Sequence, residues 1–320
     1  MHEAVARLVP PGTRLACGLA LEAAIPFAFT HEVIRQGRRG LHLVGPIADA
    51  VFDQLIGAGC VATVEAAWVG NVTTGSGYCF RRAVEQGRPG PLTVRQHTNL
   101  TISLALQAQA SGVGFLPTRT ALGSAIATDH DGFQPIVCPF TGAPLLAVRA
   151  VAPDVAVAHV QRADRHGNAQ AWGNLGVTPE ALGAARAVVV VAEELVDTAT
   201  IRAAPWHTLV PGALVTAVVH EPGGTHPAPL QDVRGHDAAA YRAYAQASAT
   251  EEGFQAWLER WVLGVGDRAG YLALLRGEAA DLAEGEARPH PVQDGGEARP
   301  HPAEDGGEAR PHLAEDGGDA

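Results

Sequence analysis

The chain has 320 residues, of which 47% are hydrophobic, and a formal net charge of −11; it is therefore long enough to bury a large core as one or two domains. The final segment, residues 284–320, contains ten acidic residues and three arginines, so the remainder is nearly neutral, which excludes a general nucleic-acid-binding surface. The chain contains no lysine, which excludes Schiff-base chemistry and a P-loop lysine.

The N-terminal third alternates between short apolar runs and helix-like segments. Strands are predicted over residues 12–17, 41–44 and 62–66, and helices over residues 25–38, 48–56, 78–86 and 100–110. A loop rich in Gly, Thr and Ser is predicted at residues 70–77, and another at residues 112–124. This alternation predicts an α/β fold with an open, mostly parallel sheet flanked by helices.

The strongest local pattern lies in the middle of the chain. Residues 154–160 (DVAVAHV) and 187–192 (AVVVVA) are apolar runs rich in β-branched residues, as in strands of a parallel sheet that is covered on both faces. A polar turn at residues 164–168 and a helix with Thr178 as N-cap and Pro179 at its first position lie between them. Together they predict a β–α–β unit, and open α/β sheets bind ligands at the carboxyl ends of such strands.

The C-terminal part predicts further regular structure and then a repeat. One strand and three helices are predicted over residues 214–219, 237–248, 250–263 and 270–275. From Glu286 an eleven-residue unit recurs as EARPHPVQDGG, EARPHPAEDGG and EARPHLAEDGG. Proline and Gly-Gly in each copy exclude a continuous helix, and too few apolar residues remain to offset the entropy of ordering. We therefore expect a folded domain over residues 1–283 and a disordered, acidic tail over residues 284–320.

The N-terminus lacks the basic and apolar regions of a signal peptide, and no apolar run approaches the ~20 residues that span a bilayer. Cys17, Cys60, Cys79 and Cys138 show no CxxC spacing, so neither a zinc site nor a disulfide framework is indicated. These features predict a cytoplasmic protein with reduced thiols and no membrane partner.

Several motifs in order resemble the A subunit of family I coenzyme A transferases, of the glutaconate CoA-transferase type. They are FLPTRTALGS (residues 115–124), APLLAVRAVAPDVAV (residues 143–157), DVAVAHVQRADRHGNAQAWG (residues 154–173), VVVVAEELV (residues 188–196) and PGALVTAVVHEPGGTHP (residues 211–227). The resemblance covers residues 11–275 approximately and leaves out the tail.

The resemblance implies a reaction and a partner. Enzymes of this type transfer coenzyme A between an acyl-CoA and a free carboxylic acid through a glutamyl-CoA thioester. The glutamate belongs to their B subunit, and no matching nucleophile motif occurs in this chain. We therefore expect no catalytic residue here, no metal or organic cofactor, and an obligate partner B subunit in an A2B2 assembly, with the site between subunits.

The loop at residues 70–77 is the first candidate for substrate or CoA binding. Gly75, Ser76 and Gly77 allow close approach of a ligand, and the loop offers backbone N–H groups and hydroxyls to a carboxylate or thioester oxygen. No GK[ST] follows, so it is not a P-loop. An ordinary connecting loop is the alternative interpretation.

The resemblance implies that residues 115–124 line the acyl or CoA pocket, with Thr118, Arg119 and Ser124 as candidate contacts. Arg119 has the forked geometry that pairs with a substrate carboxylate. A surface arginine that stabilises its own loop is the alternative.

Asn168 and Glu193 are the candidates from the central unit. Asn168 ends the polar turn, which has a purely structural alternative because Gly-Asn suits positive φ. Glu193 forms an acid pair in sequence with Glu194, for which the alternative is interaction with a helix N-terminus. His159 is interpreted as a hydrogen-bonded core residue, and His220 with His226 lacks a third metal ligand.

Asn99 is the last candidate for substrate or CoA binding, and it also bears on an alternative function. A related branch of the same scaffold comprises ring-opening hydrolases of steroid degradation, which use a glutamate from this region of their corresponding chain. An amide at Asn99 cannot act as a base, which disfavours the hydrolase. A ligand-sensing relative that binds CoA esters without catalysis is the third alternative, although no basic helix-turn-helix segment is present.

We expect deletion of the chain from Glu286 onward to leave folding and activity unchanged, because the repeats have little apolar surface to bury. Thermal unfolding and activity of the truncated and full chains measure this. A large loss in either would show that the tail contributes to the folded protein.

Overall fold

The computed structural model describes residues 1–128 and 131–286. Its strands are β1 Arg14–Ala16, β2 Leu41–Ile47, β3 Val61–Trp68, β4 Gly70–Asn71, β5 Gly75–Ser76, β6 Thr93–Gln96, β7 Phe115–Thr118, β8 Phe133–Val137, β9 Pro144–Arg149, β10 Val155–Ala163, β11 Ala169–Gln170, β12 Ala187–Leu195, β13 Thr208–Val210 and β14 Ala217–His220. Its α-helices are α1 His2–Leu8, α2 Phe27–Arg35, α3 Asp49–Gly57, α4 Tyr78–Gln86, α5 Asn99–Ala110, α6 Ala125–Thr128, α7 Thr178–Ala184, α8 Thr198–Ala203, α9 Ala238–Ser248, α10 Glu251–Leu258 and α11 Arg268–Glu286.

The main sheet is built by parallel pairing in the order β14-β12-β10-β1-β2-β3-β6. Strands β11 and β13 extend it by antiparallel pairing at the end of β10. The predicted open, mostly parallel sheet is thus confirmed. The strand order reverses between β1 and β10, which are neighbours in the sheet but far apart in the chain.

The central strands are apolar on both faces because helices cover both faces. Leu15, Leu43 and Val157 point into one core layer with helices α2, α3, α9 and α10, while Ala16 and Val44 point into the other with α5 and α7. Burial of each large aliphatic side chain contributes about 1.5–3 kcal/mol, which makes these two layers the main source of stability.

A second, antiparallel sheet of β7, β9 and β8 flanks the main sheet. It buries Phe133, Leu146 and Val148 against the α5 layer and leaves Phe115 about half exposed. The prediction of a loop at residues 112–124 was therefore wrong over β7. Because this sheet is buried on one face only and its strands contain prolines, its apolar pattern is too weak to identify from the sequence.

Two boundaries also differ from prediction. Thr178 is the first residue of α7, and Val177 precedes it without a side-chain cap. The strand predicted at residues 214–219 begins only at Ala217, because Gly212–Leu214 form a 3-10 turn.

Residues 1–277 form one compact unit, and a second begins at Glu278, of which only the end of helix α11, up to Glu286, is described. The repeats beyond Glu286, and with them most of the predicted tail, lie outside the described residues. None of the helices within residues 1–128 and 131–286 is long and apolar enough to cross a membrane.

Two helical glycines provide a test of the packing between α3, α4 and α10. A Cβ at Gly57 would lie 2.7 Å from Cys79 Sγ and equally close to Phe254 Cε1, whereas a Cβ at Gly277 would meet nothing within 4 Å. We expect Gly57→Ala to lower the free energy of unfolding by about 1–3 kcal/mol through overpacking. Gly277→Ala should leave it unchanged or raise it slightly, since alanine favours helix. Denaturant titration of both variants checks this, and equal stabilities would contradict the described packing.

Candidate functional site

The carboxyl ends of the parallel strands form the edge at which a site is expected, because ligands of open α/β sheets bind where the strand order reverses. That reversal lies between β1 and β10. The segments that leave the sheet on this side include residues 18–26 after β1, the β4–β5 hairpin after β3, and residues 221–237 after β14.

The predicted loop at residues 70–77 is a hairpin, with Asn71 paired to Gly75 and Gly70 to Ser76. Gly75 has φ +85°, a conformation that favours glycine. The hydroxyl of Ser76 accepts a hydrogen bond from Trp68 Nε1 at 3.1 Å. Gly77 is required by packing, because the carboxylate of Asp53 occupies the position that a Cβ would take.

The hairpin's tip is exposed, but its backbone donors are already used. The amide of Thr73 donates to Asn71 Oδ1 at 2.8 Å, that of Thr74 donates to the Asn71 carbonyl at 3.1 Å, and that of Val72 donates to Glu22 Oε1. The threonine hydroxyls and Ser76 are therefore the groups of this tip that a ligand can reach most directly.

Two buried aspartates of α3 hold the base of the hairpin. Asp49 Oδ1 accepts from Asn71 Nδ2 at 3.3 Å, and Asp53 Oδ1 accepts from the amide of Phe80 at 2.7 Å, which caps helix α4. Tyr241 and Tyr244 of α9 donate their hydroxyls to the second oxygens. Burial raises the pKa of both aspartates, that of Asp49 to about 7, despite these hydrogen bonds. The sequence did not indicate the roles of Asp49 and Asp53, because an acidic residue in an amphipathic helix is normally expected on the solvent-exposed face.

A cleft of about 490 Å³ adjoins the hairpin tip. Its walls are residues 23–24, 229–235, Trp172 and Asn174. The neighbours of these walls in the chain, Glu22 and His236, contact the tip at Val72 and Thr73. Glu22 and His236 therefore link the chain segments of the cleft wall to the hairpin tip.

Glu193 connects the sheet to this cleft. Its carboxylate accepts from the amide of Gly223 at 2.9 Å, contacts His159 Nε2 at 3.2 Å, and lies 3.6 Å from Arg234 Nη2 on the cleft wall. Burial alone would raise the pKa of Glu193, but the hydrogen bonds from His159 and Gly223 outweigh burial and lower it. Glu194 is exposed, so the acid pair in sequence is not a pair in space.

His159 is fully enclosed, and burial lowers its pKa. This agrees with its interpretation as a core residue. The EPGGTHP loop is enclosed as well, because Gly224 lies against the His159 ring, where a Cβ would come within 2.8 Å of Cε1. Within the described residues no three His, Cys, Asp or Glu side chains are grouped so that they could hold a metal ion.

Asn168 serves the turn after β10. Asp164 accepts from the amide of Asn168 at 3.0 Å and from its Nδ2 at 2.8 Å, while Asn168 Oδ1 accepts from the amide of Gly212 at 3.0 Å. Both ends of the Asn168 side chain thus have protein partners.

The three candidates after β7 lie on the antiparallel sheet and its loop. Thr118 Oγ1 accepts from the amide of Thr120, and Ser124 Oγ donates to the carbonyl of Ala121, so both bond locally. Arg119 is exposed. These residues are therefore positioned by a different sheet from that of the hairpin.

Asn99 is exposed at the start of α5, next to the carboxyl end of β6. Two residues earlier in the chain, His97 contacts a buried carboxylate, Glu65, at 3.2 Å through Nε2, and His42 Nε2 lies 2.8 Å from the same carboxylate. Burial opposes ionisation of Glu65, but its interactions with the two imidazoles dominate and lower its pKa far below the usual range.

The matching family model, Coenzyme A transferase, covers residues 1–221. The chain is 40% identical over 268 residues to the A subunit of 3-oxoadipate CoA-transferase from Pseudomonas knackmussii, covering 83% of this chain and 94% of that protein. The chain belongs to the coenzyme A transferase family. It is the A subunit of a two-subunit, family I enzyme.

This transferase subunit is also similar to a second transferase subunit and to a hydrolase subunit. The A subunit of glutaconate CoA-transferase from Acidaminococcus fermentans is 30% identical over 293 residues (85% of this chain, 89% of that protein), and a chain of the crystal structure of that enzyme superposes with a TM-score of 0.81, covering 86% of this chain and 91% of the other. The cholesterol ring-cleaving hydrolase IpdA subunit of Mycobacterium tuberculosis is 31% identical over 191 residues, covering 55% of this chain and 63% of the hydrolase subunit.

We expect Glu65→Gln in this transferase subunit to lower the melting temperature at neutral pH, because the amide replaces an ionised carboxylate that two imidazoles stabilise. Since the folded pKa of Glu65 is lowered, its stabilising contribution is present above the ordinary glutamate pKa and is lost as the pH falls through the lowered value. The difference between variant and wild type should therefore shrink in acid. Melting curves from pH 7 downward measure it, and a difference independent of pH would contradict the ionised assignment.

Proposed function

We propose that this chain completes, together with a B subunit, an enzyme that moves coenzyme A from an acyl-CoA to a free carboxylic acid through a glutamyl-CoA thioester on the partner. The observation that carries the proposal is the 40% identity to the A subunit of 3-oxoadipate CoA-transferase over nearly its full length. The hairpin and the neighbouring cleft, on the side of the sheet where its strands end, supply a place for such a ligand on this chain.

The proposed reaction has two symmetric halves. The partner's glutamate carboxylate attacks the thioester carbonyl, the C–S bond breaks, and the CoA thiolate leaves behind a mixed anhydride. The thiolate then attacks the glutamyl carbonyl of the anhydride, which forms the glutamyl thioester and releases the first acid as its carboxylate. In the second half an incoming carboxylate attacks the glutamyl thioester, which forms a new mixed anhydride and releases the CoA thiolate. The thiolate then attacks the new acyl carbonyl, so that a new acyl-CoA forms and the glutamate carboxylate is restored.

In this mechanism the surface of the present chain binds and orients the substrate. The tip hydroxyls of the hairpin, from Thr73, Thr74 and Ser76, are suited to donate to a carboxylate or to the thioester oxygen on which negative charge develops. The cleft beside them is the place for the acyl group. Assembly as A2B2, with the site at the boundary between subunits, belongs to the same proposal.

We further propose a dicarboxylic acid as a substrate. The two transferase relatives are named for 3-oxoadipate and glutaconate, which both carry two carboxylates. Arg234 and Asn174 border the cleft on this chain. An arginine is suited to bind the carboxylate that does not react, and thereby to discriminate against monocarboxylic acids.

A ring-opening hydrolase is the second candidate, favoured by the similarity to the IpdA subunit. It is the weaker one, because the residue aligned by the sequence resemblance with the hydrolase's glutamate is Asn99, and an amide cannot act as a base.

The test is to capture the tagged chain from its source cells with its partner, and to incubate the complex with the CoA thioester of a dicarboxylic acid. We expect a CoA adduct on a glutamate of the partner, detected by mass spectrometry, and CoA transfer only when an acceptor acid is added. The chain alone, as the matched control, should show neither. CoA-ester consumption without an acceptor would favour the hydrolase, and a chain that is captured without any partner would contradict the proposal.

The proposed carboxylate contact has its own test. We expect Arg234→Gln to raise the KM for a dicarboxylic acceptor by about tenfold or more, because a charge-assisted hydrogen bond contributes about 1.5–3 kcal/mol. Arg242→Gln is the matched control, as it replaces an exposed arginine on helix α9. The two variants are compared in steady-state kinetics of the complex. Equal KM values for Arg234→Gln and wild type would rule out this contact.

A further inference from the structure

Helices α3 and α9 face each other through two nearly identical buried pairs. Tyr241 donates its hydroxyl to Asp49 Oδ2 at 2.8 Å, and Tyr244 donates its hydroxyl to Asp53 Oδ2 at 2.6 Å. Both aspartates are at most 1% exposed. The Oδ1 atoms of the two aspartates have different partners. Asp53 Oδ1 accepts from the amide of Phe80 at the start of helix α4, whereas Asp49 Oδ1 accepts from Asn71 Nδ2 of the hairpin.

Asp49 occupies an unusual backbone position for a residue that starts a helix. It has φ +47°, in the left-handed region, which costs free energy for a residue other than glycine and which is found at functional sites more often than elsewhere. This conformation directs its carboxylate toward its own neighbour's amide, at Ala50, and toward Asn71.

We propose that Asp49 is a positioning residue of the transferase site, which acts through Asn71 to set the conformation of the hairpin tip. The proposal rests on the function proposed above. Asn71 transmits the effect because its Nδ2 donates to Asp49 while its Oδ1 accepts from the amide of Thr73 at the tip. A continuous series of hydrogen bonds thus runs from Tyr241 to Thr73.

The ionised carboxylate of Asp49 can accept from Tyr241, Asn71 and Ala50 together. In the protonated carboxyl one oxygen carries a hydrogen and loses part of its capacity to accept, so that one of these donors is released. The hairpin should therefore be held more firmly when Asp49 is ionised. The charged or titratable groups facing it are Glu22 on the loop after β1, which opposes its ionisation, and Tyr241 on α9.

His236 packs against Tyr241 on the side of the hairpin tip. Its ring stacks on Tyr241 with centroids 4.9 Å apart, and its Nε2 lies 3.4 Å from the Thr73 hydroxyl.

Because burial raises the pKa of Asp49 to about 7, the change between the two states of the hairpin falls in the neutral range. The same shift means that the folded state loses stability as the pH rises from the ordinary aspartate pKa to about 7, and not further above it.

The test uses the complete A/B complex and two readouts, the pH dependence of kcat/KM and amide hydrogen exchange of residues 70–77, corrected for the intrinsic exchange rate. In wild type we expect protection of the hairpin to rise about tenfold between pH 6 and pH 8, as for gain of one hydrogen bond to a charged group. Activity should rise with the same midpoint.

Three variants separate the proposal from a purely structural role. Asp49→Asn should remove the pH dependence of both readouts and leave the hairpin at the low protection of the acidic state. Tyr241→Phe should shift the midpoint to higher pH, because the carboxylate loses one donor. Tyr244→Phe, the matched control in the neighbouring pair, should lower the melting temperature but leave the midpoint unchanged.

An unchanged pH dependence in Asp49→Asn, or equal midpoint shifts in Tyr241→Phe and Tyr244→Phe, would overturn the proposal. Hydrogen exchange does not require turnover, so an inactive wild-type complex would reject the proposed function while the exchange data still decide the role of Asp49.

Discussion

The fold depends on the covering of both faces of its parallel sheet. The central strands are apolar over residues 155–158 of β10 and 188–192 of β12, because neither face meets water there, and their backbone groups are used in pairing. Polar side chains can therefore emerge only where strands end, or inside the sheet with a partner. His159 is the example of the second case, since it lies within β10 and is bonded to Glu193 on the adjacent strand.

Buried carboxylates build the carboxyl edge of the sheet. Asp49, Asp53, Glu65 and Glu193 each lose hydration. The first two and Glu193 accept from two or more donors, while Glu65 accepts from His97 and lies beside His42. Removal of a single donor is costly for this reason, because the charge remains buried. These groups hold loops in place and do not project into the cleft as free nucleophiles, which fits a subunit whose partner supplies the reacting carboxylate.

The sequence was most informative where one physical signal was strong. The apolar runs of β10 and β12 predicted parallel strands, and the helix predicted over residues 78–86 is α4 with the same bounds. The β7–β9–β8 sheet was missed because a strand with one exposed face and a proline lacks that signal. Helices α1 and α8 were not predicted, because they are too short to show a clear 3.6-residue hydrophobic period.

The sequence named residues 70–77 as a candidate binding loop and Glu193 as a candidate at a strand end, and their part in substrate binding stays a prediction. The structure shows the loop as a hairpin and places Glu193 3.6 Å from Arg234 Nη2. The roles of Asp49 and Tyr241 could not be predicted, since they are 192 residues apart in the chain and meet only through tertiary packing. Trp172 and Arg234 come together across the cleft for the same reason. Long-range pairs of this kind leave no local pattern.

The central claim is that the hairpin and the adjoining cleft are this subunit's share of a site completed by a partner. A crystal structure of the A/B complex with a bound acyl-CoA tests it most directly. We predict the thioester within hydrogen-bond distance of the hairpin tip, the acyl group in the cleft beside Arg234, and a partner glutamate facing the carbonyl carbon. A thioester bound against the β7–β9–β8 sheet, or a reacting carboxylate supplied by this chain, would contradict the account.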